Sequence, residues 1–235
     1  MEHIGTSFFA ALKLVIELNS DLVEIVALSL QVTLFAVSIS SFIALPLGGI
    51  IAVHHFLGRG AVIAICNALL GLPPVVVGLA VYLLLSRMGP LGPLNLLFSP
   101  TAMIIAQCIL VTPIVTALTI RTTSDLWNEY GEQLKSLGAS PMTSVPTLIW
   151  EGRFTLTTAV LAGFGRAMAE VGAVMIVGGN INHATRVMTT SITLETSKGD
   201  LGLALGLGVI LLLLSIFITG LTHFFNNASE RQILQ

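Results

Sequence analysis

The sequence predicts an all-α polytopic membrane protein with five transmembrane helices, and two observations carry that prediction. Of 235 residues, 54% are hydrophobic and 9% charged, with a mean hydropathy of +0.95. Soluble domains carry about 25% charged residues, and a chain of this size has too little interior to hide so large an apolar fraction from water. The apolar residues also gather into runs of about 20 or more, the length that crosses a hydrocarbon core of about 30 Å. Net charge is −2, so no basic field suggests nucleic acid as a partner.

The N-terminal segment 1–20 comes first. Within residues 5–18, Phe8, Phe9, Leu12, Val15 and Ile16 fall at helical spacing. The stretch is too short and too polar to span, and reads as an amphipathic interfacial helix. Glu2 is the first charge, Glu17 follows Lys13, and the next apolar run is long; these features do not resemble a cleaved signal peptide.

The transmembrane domain is expected over 21–226. Its first span, about 22–53, exceeds what a bilayer needs and must tilt, kink or project into water. Pro46, Gly48 and Gly49 mark the expected kink or termination site. The second span, about 61–86, is interrupted by Pro73 and Pro74. A Pro pair frees carbonyls that lipid cannot satisfy, so this stretch should face protein or a watery cavity. It reads either as a packing kink or as a gate element on a pathway. The run SRMGPLGPLNLLFSP is a turn-rich connector. The third span, about 101–120, holds Gln107, Thr112 and Pro113. After the polar loop 121–153, the fourth span covers about 154–178 and the fifth about 201–225. Glycines at 163, 165, 172, 178, 179, 202, 206, 208 and 220 suit close helix packing. The polar stretch 185–196 reads equally as a plain external loop, a partner contact or the roof of a vestibule. A C-terminal tail, 227–235, completes the chain.

Two places could carry function. The polar loop reads DLWNEYGEQLKSLGASPMTSVPTLIWEGR. A helix over about 126–137 would close at Gly138, and a second would begin near Ser140 with Pro141 in its first turn. The result is either an ordinary amphipathic loop or an elbow suited to docking on a soluble partner. In the fourth span stand Arg166 and Glu170. A mid-membrane charge costs roughly 2.5–3.5 kcal/mol on insertion scales, so both should face a bundle interior or an aqueous path. At a spacing of four they would share one helix face. One reading is a structural ion pair. In the other, Arg166 offers its fork of donors to a passing oxyanion, while Glu170 moderates the charge so that the anion leaves again.

No catalytic or metal site is expected. Cys66 and Cys108 lie far apart without metal spacing and read as inert thiols. HExxH, GxSxG and the Walker A pattern are all missing from the sequence. ATP-driven work would therefore need ATP to be hydrolysed on another chain.

The polar loop resembles the EAA loop of ABC importer permeases, whose pattern is E-A-A, three residues, Gly, nine residues, then I-x-L-P. Glu132 and Gly138 stand at the matching separation; Gln133 and Leu134 replace the two Ala, and Leu148, Trp150 and Glu151 occupy the I, L and P places. QVTLFAVSISSFIALPLG resembles the family's opening helix. NALLGLPPVVVGLAVYLLLSRMGPLG and GFGRAMAEVGAVMIVGGN resemble the second and fourth helices of its oxyanion members. The similarity runs in order over residues 28–225 and lies nearest the tungstate group, with molybdate or sulfate as alternatives within the fold.

This resemblance implies a type I importer permease in the cytoplasmic membrane. Two copies would form the pathway, and two cytoplasmic ABC ATPase subunits, carrying ATP and Mg, would dock on the loop through Glu132, Gln133, Leu134, Gly138, Ala139, Ser140 and Pro141. An extracytoplasmic oxyanion-binding protein would deliver the anion, and no cofactor would reside in this chain. Arg166, Glu170, Pro73 and Pro74 would line the pathway. The N-terminus would lie outside and the C-terminus in the cytoplasm. Charge adds little to that orientation: Arg59, Arg121, Lys135, Arg153 and Arg231 would be inside against Lys13, Arg87, Arg186 and Lys198 outside, five against four. From other classes, an ion-coupled secondary transporter would show inverted repeats and mid-membrane carboxylates; a membrane-anchored assembly protein would leave Arg166 without a role.

Overall fold

Every regular element among the described residues is helical. The structure, a computed structural model, describes residues 20–233, with side chains to residue 222. The amphipathic helix expected over 5–18 and the side chains of the 227–235 tail lie outside the described residues. In chain order the helices are α1 (Ser20–Val53), α2 (Arg59–Leu69), α3 (Pro74–Leu85), α4 (Pro100–Ser136), α5 (Pro141–Glu151), α6 (Arg153–Met168), α7 (Gly172–Gly178), α8 (Met188–Lys198) and α9 (Leu201–Ile233). Among the described residues α1, α4 and the Leu201–Thr222 part of α9 are long and apolar enough to cross a membrane. The bent pairs α2–α3 and α6–α7 raise the number to five if each is one broken span. The chain is a polytopic helical membrane protein.

Two helix ends differ from expectation, and a termination expected at Pro46 is absent. α1 runs through Pro46 to Val53 without a break. Its two following glycines are contact points instead: a Cβ on Gly48 would stand 2.7 Å from Thr119 Cβ, and one on Gly49 2.8 Å from Val145 Cγ1. α4 does not stop near residue 120 but continues to Ser136, so the third span and the first arm of the elbow are one helix. α9 passes the expected end at 225 and reaches Ile233. The Pro pair does more than kink its span. Pro73 takes an extended ψ of 119° and Pro74 is the first residue of α3, because a residue before Pro is driven out of helical backbone and Pro suits a helix's first turn.

The chain divides into two compact units. One holds the residues through Phe35, Pro73–Gln107 and Met168–Phe217; the other holds Ala36–Leu72, Cys108–Ala167 and the residues from Ile218. In the first unit α3 lies against α7. A Cβ on Gly78 would stand 2.7 Å from Ala173 Cα, so only Gly permits this approach. The polar stretch 185–196 is not a plain external loop, one of its three readings, because Thr185, Thr189, Thr190, Ser191 and Glu195 are buried. Several of its polar groups are bonded inside the unit. Thr189 Oγ1 donates to Glu170 O at 2.8 Å, Thr190 Oγ1 to Val187 O at 3.1 Å, and the Met188 N–H to Ser29 Oγ at 2.7 Å. Buried hydroxyls are tolerated where carbonyls accept them.

In the second unit, Val37, Ala44, Val111, Val115 and Ala167 form one apolar cluster. A second joins Val53, Trp127, Val145 and Leu148, with Ile50, Leu126, Leu134 and Ile149 packed against it. Gly163 fits the close-packing expectation, its Cβ position lying 3.0 Å from Val111 Cγ1. Gly165, Gly208 and Gly220 do not, since each faces open space within this chain. Cys108 donates its S–H to Ala36 O at 3.4 Å.

Candidate functional site

The elbow between α4 and α5 is built by local sequence. α4 ends in a tight reversal: the Gly138 N–H donates to Lys135 O at 2.9 Å and the Ala139 N–H to Leu134 O at 3.0 Å. These two bonds are the Schellman pattern, and Gly138 supplies its left-handed residue at φ +82°. Ser140 then caps α5, its Oγ accepting from the Thr143 N–H at 3.3 Å, with Pro141 following in the first turn. Serine at this position satisfies an amide that the first turn leaves without a helical partner.

Packing fixes how the two arms meet. Val145 and Leu148 of α5 are buried against Trp127 and Leu134 of α4 and against Val53 at the end of α1. Trp127 lies over Gly131, where a Cβ would stand 3.1 Å from the ring, and Lys135 Nζ sits 5.3 Å from the ring centroid. Trp127 and Val145 were not singled out from sequence, and Leu134 and Leu148 were read there as motif positions rather than as packing anchors. Their signal was available: Trp127 and Leu134 are seven apart on one helix, and Val145 and Leu148 three apart on the other.

The outward side of the elbow is acidic and partly apolar. Glu129, Glu132 and Glu151 are exposed. Glu129, through a hydrogen bond and its charge, pushes the Tyr130 phenol above its ordinary value, and Glu151 adds a smaller effect. A groove of about 340 Å3 runs between the arms, lined by Tyr130, Gln133, Leu137, Thr147 and Glu151 among others. Leu137, Met142 and Trp150 are 83%, 52% and 70% exposed, although they stand in the most polar part of the sequence. Arg153 stacks over Trp150, with Cζ 5.2 Å from the ring centroid, and donates from Nη1 to Trp150 O at 2.9 Å. Glu132, Gln133, Leu134, Gly138, Ala139, Ser140 and Pro141 thus occupy one turn and the helix ends that flank it.

Arg166 and Glu170 do not share a helix face. α6 ends at Met168, with Arg166 in its last turn, and Glu170 lies in the break at 169–171. The carboxylate has a local task there: Glu170 Oε1 accepts from the Ala173 N–H at 3.0 Å, while Glu170 O accepts from Thr189 Oγ1. Glu170 is buried to 4% exposure. A carboxylate held at a helix N-terminus also meets the favourable end of the backbone dipole, which helps explain how an acid stands so deep. Among the described residues no group of three or more His, Cys, Asp or Glu could hold a metal ion.

The fold and elbow can be set beside known proteins. No family model matches the chain. It is 39% identical over 223 residues to the tungstate uptake system permease protein TupB of Peptoclostridium acidaminophilum, a match covering 95% of this chain and 98% of the relative. Identity to a probable anion ABC transporter permease protein of Haloferax volcanii is 38% over 211 residues, covering 88% and 91%. The TupB permease of Campylobacter jejuni is 42% identical over 159 residues, covering 68% and 66%. A helical membrane fold, an elbow after its long fourth helix and matches of this extent lead to one conclusion: the chain belongs to the family of ABC transporter permeases that includes the tungstate uptake permeases.

Proposed function

We propose that this chain is the membrane-spanning subunit of an importer that takes up tungstate, driven by ATP hydrolysis on a separate subunit. The observation that carries the reading is the match to a tungstate uptake permease along almost the entire length of both chains. Molybdate or sulfate is the less supported alternative, because the relatives named for sulfate transport stand further away, at 27% identity for one of them.

Two copies form the pathway, an extracytoplasmic binding protein delivers the anion, and two cytoplasmic ATPase subunits, with ATP and Mg, dock on the elbow. The exposed Leu137, Met142 and Trp150 beside Glu129, Glu132 and Glu151 support that docking. Exposed apolar residues rimmed by charge are what a protein partner covers, and the acidic rim asks for a basic groove in return. With the elbow facing the ATPase, the proposed orientation has the C-terminus in the cytoplasm and the N-terminus outside. Arg166, Glu170 and the Pro73–Pro74 break are the proposed pathway residues.

The deciding experiment is uptake of labelled tungstate into vesicles holding the permease, its ATPase and its binding protein. Uptake should require ATP and the ATPase, and excess unlabelled tungstate should compete better than molybdate or sulfate. Persistent uptake without the ATPase overturns the reading in favour of an ion-coupled transporter. Arg166→Gln should abolish uptake. Exchanging Arg166 and Glu170 is not a clean test of an ion pair, because Arg at 170 cannot accept the Ala173 N–H that Glu170 Oε1 accepts.

A further inference from the structure

Arg59 opens α2 and reaches back to the end of α1. Its Nε donates to Ile51 O at 2.8 Å, and its Nη2 donates to Ala52 O at 2.9 Å and Ser124 Oγ at 3.3 Å. Those carbonyls belong to the last turn of α1, which lacks onward helical partners, and a cation suits that end of the backbone dipole. A guanidinium has five donor hydrogens, so Nη1 is left for a ligand. Arg59 also lines a cavity of about 600 Å3 together with Arg121, His55 and Asp125 on the polar side and Ile63 and Leu118 on the apolar side.

Arg121 is the first charged residue of α4, after the apolar run 100–120, and it is exposed. The cavity therefore spans the level at which α4 passes from apolar to polar sequence, which in a bilayer is the level of the headgroups. Two guanidiniums against the single Asp125 carboxylate leave the lining net positive with His55 neutral.

We propose that this cavity binds a phosphate-type oxyanion group, carried by an anionic phospholipid. The headgroup meets Arg59 and Arg121, and an acyl chain lies along Ile63 and Leu118. Guanidinium forks match phosphate oxygens, and basic pockets between membrane helices hold anionic headgroups. A free tetrahedral anion is far smaller than the cavity and gains nothing from its apolar wall; a phospholipid uses both sides. The site does not depend on which anion the protein transports, and it is read by binding alone.

The test uses the full-length permease in mixed micelles of phosphatidylglycerol and phosphatidylcholine in equal amounts, with retained lipid counted by native mass spectrometry. Wild type should retain phosphatidylglycerol about tenfold over phosphatidylcholine, the weight of one or two charge-assisted bonds. Arg121→Gln should bring the two lipids close to parity, Arg121→Lys should keep most of the preference, and Asp125→Asn should increase it. Arg59 is left intact because it also caps α1. Millimolar inorganic phosphate separates the sources: displacement of the lipid means that the pocket reads the oxyanion group alone, and no displacement means that it also needs the chain. Equal retention of both lipids by wild type, no retention at all (as when a second copy covers the cavity), or an unchanged preference in Arg121→Gln overturns the proposal.

Discussion

Gly138 sets the turn of the elbow, and the cost of replacing it can be worked from its geometry. Its φ is +82°, and a Cβ placed there meets nothing within 4 Å. Gly138→Ala therefore pays no packing penalty, and the whole effect is the strain of an L-residue in left-handed backbone, roughly 1–2 kcal/mol. That is roughly a 5- to 30-fold shift toward the open turn. The affected bonds are those from the amides of residues 138 and 139 to Lys135 O and Leu134 O. Hydrogen–deuterium exchange at these two amides should accelerate by the same factor, because exchange there reports local opening. Gly138→Asn should lie between wild type and Gly138→Ala, since Asn visits this backbone region more readily. The coupling of ATP hydrolysis to uptake should weaken in the same order. Wild-type exchange in Gly138→Ala, or equal acceleration in the Ala and Asn variants, would refute the reasoning.

Three further outcomes follow from contacts described above. Gly78→Ala places a Cβ 2.7 Å from Ala173 Cα and should destabilise the permease by about 1–3 kcal/mol through overpacking, read as a lower melting temperature in detergent. Ser140→Ala removes the acceptor for the Thr143 N–H and should cost about 1 kcal/mol of α5 stability, seen as faster amide exchange in the first turn of α5 while α6 is unchanged. Glu170→Gln keeps an oxygen for the Ala173 N–H whereas Glu170→Ala leaves that buried amide unsatisfied; thermal melting should fall clearly further for Ala than for Gln, and equal losses would remove the capping role.

Much of this molecule was legible in its sequence, and the parts that were not share a cause. Apolar runs located the helices that enter lipid, and Gly138 followed by Ser140 and Pro141 located the elbow, because turn chemistry is local. Hydropathy reports the surrounding medium, however, and not where a helix ends. Residues 121–137 turn polar, yet nothing in them breaks the backbone pattern, and α4 continues to Ser136. The break at 169–171 has the opposite character. It contains no Pro or Gly and is held by Thr189, nineteen residues away, a contact that no local window contains. The external-loop reading of 185–196 failed for a similar reason, since hydroxyls look solvated in sequence until the carbonyls that accept from them are known.

The continuity of α4 has a consequence of phase. Eleven residues separate Arg121 from Glu132 along one helix, which at about 100° per residue returns them to within about 20° of the same azimuth. A single residue inserted between them would swing the elbow about 100° around the helix axis while advancing it only about 1.5 Å. An insertion of seven would advance it about 10 Å but restore its bearing to within about 20°. Length variation in this stretch should therefore be tolerated in double turns and rejected singly. The bearing of the elbow is an angle kept by the helix, set at the membrane end and delivered unchanged to the surface where a partner would meet it.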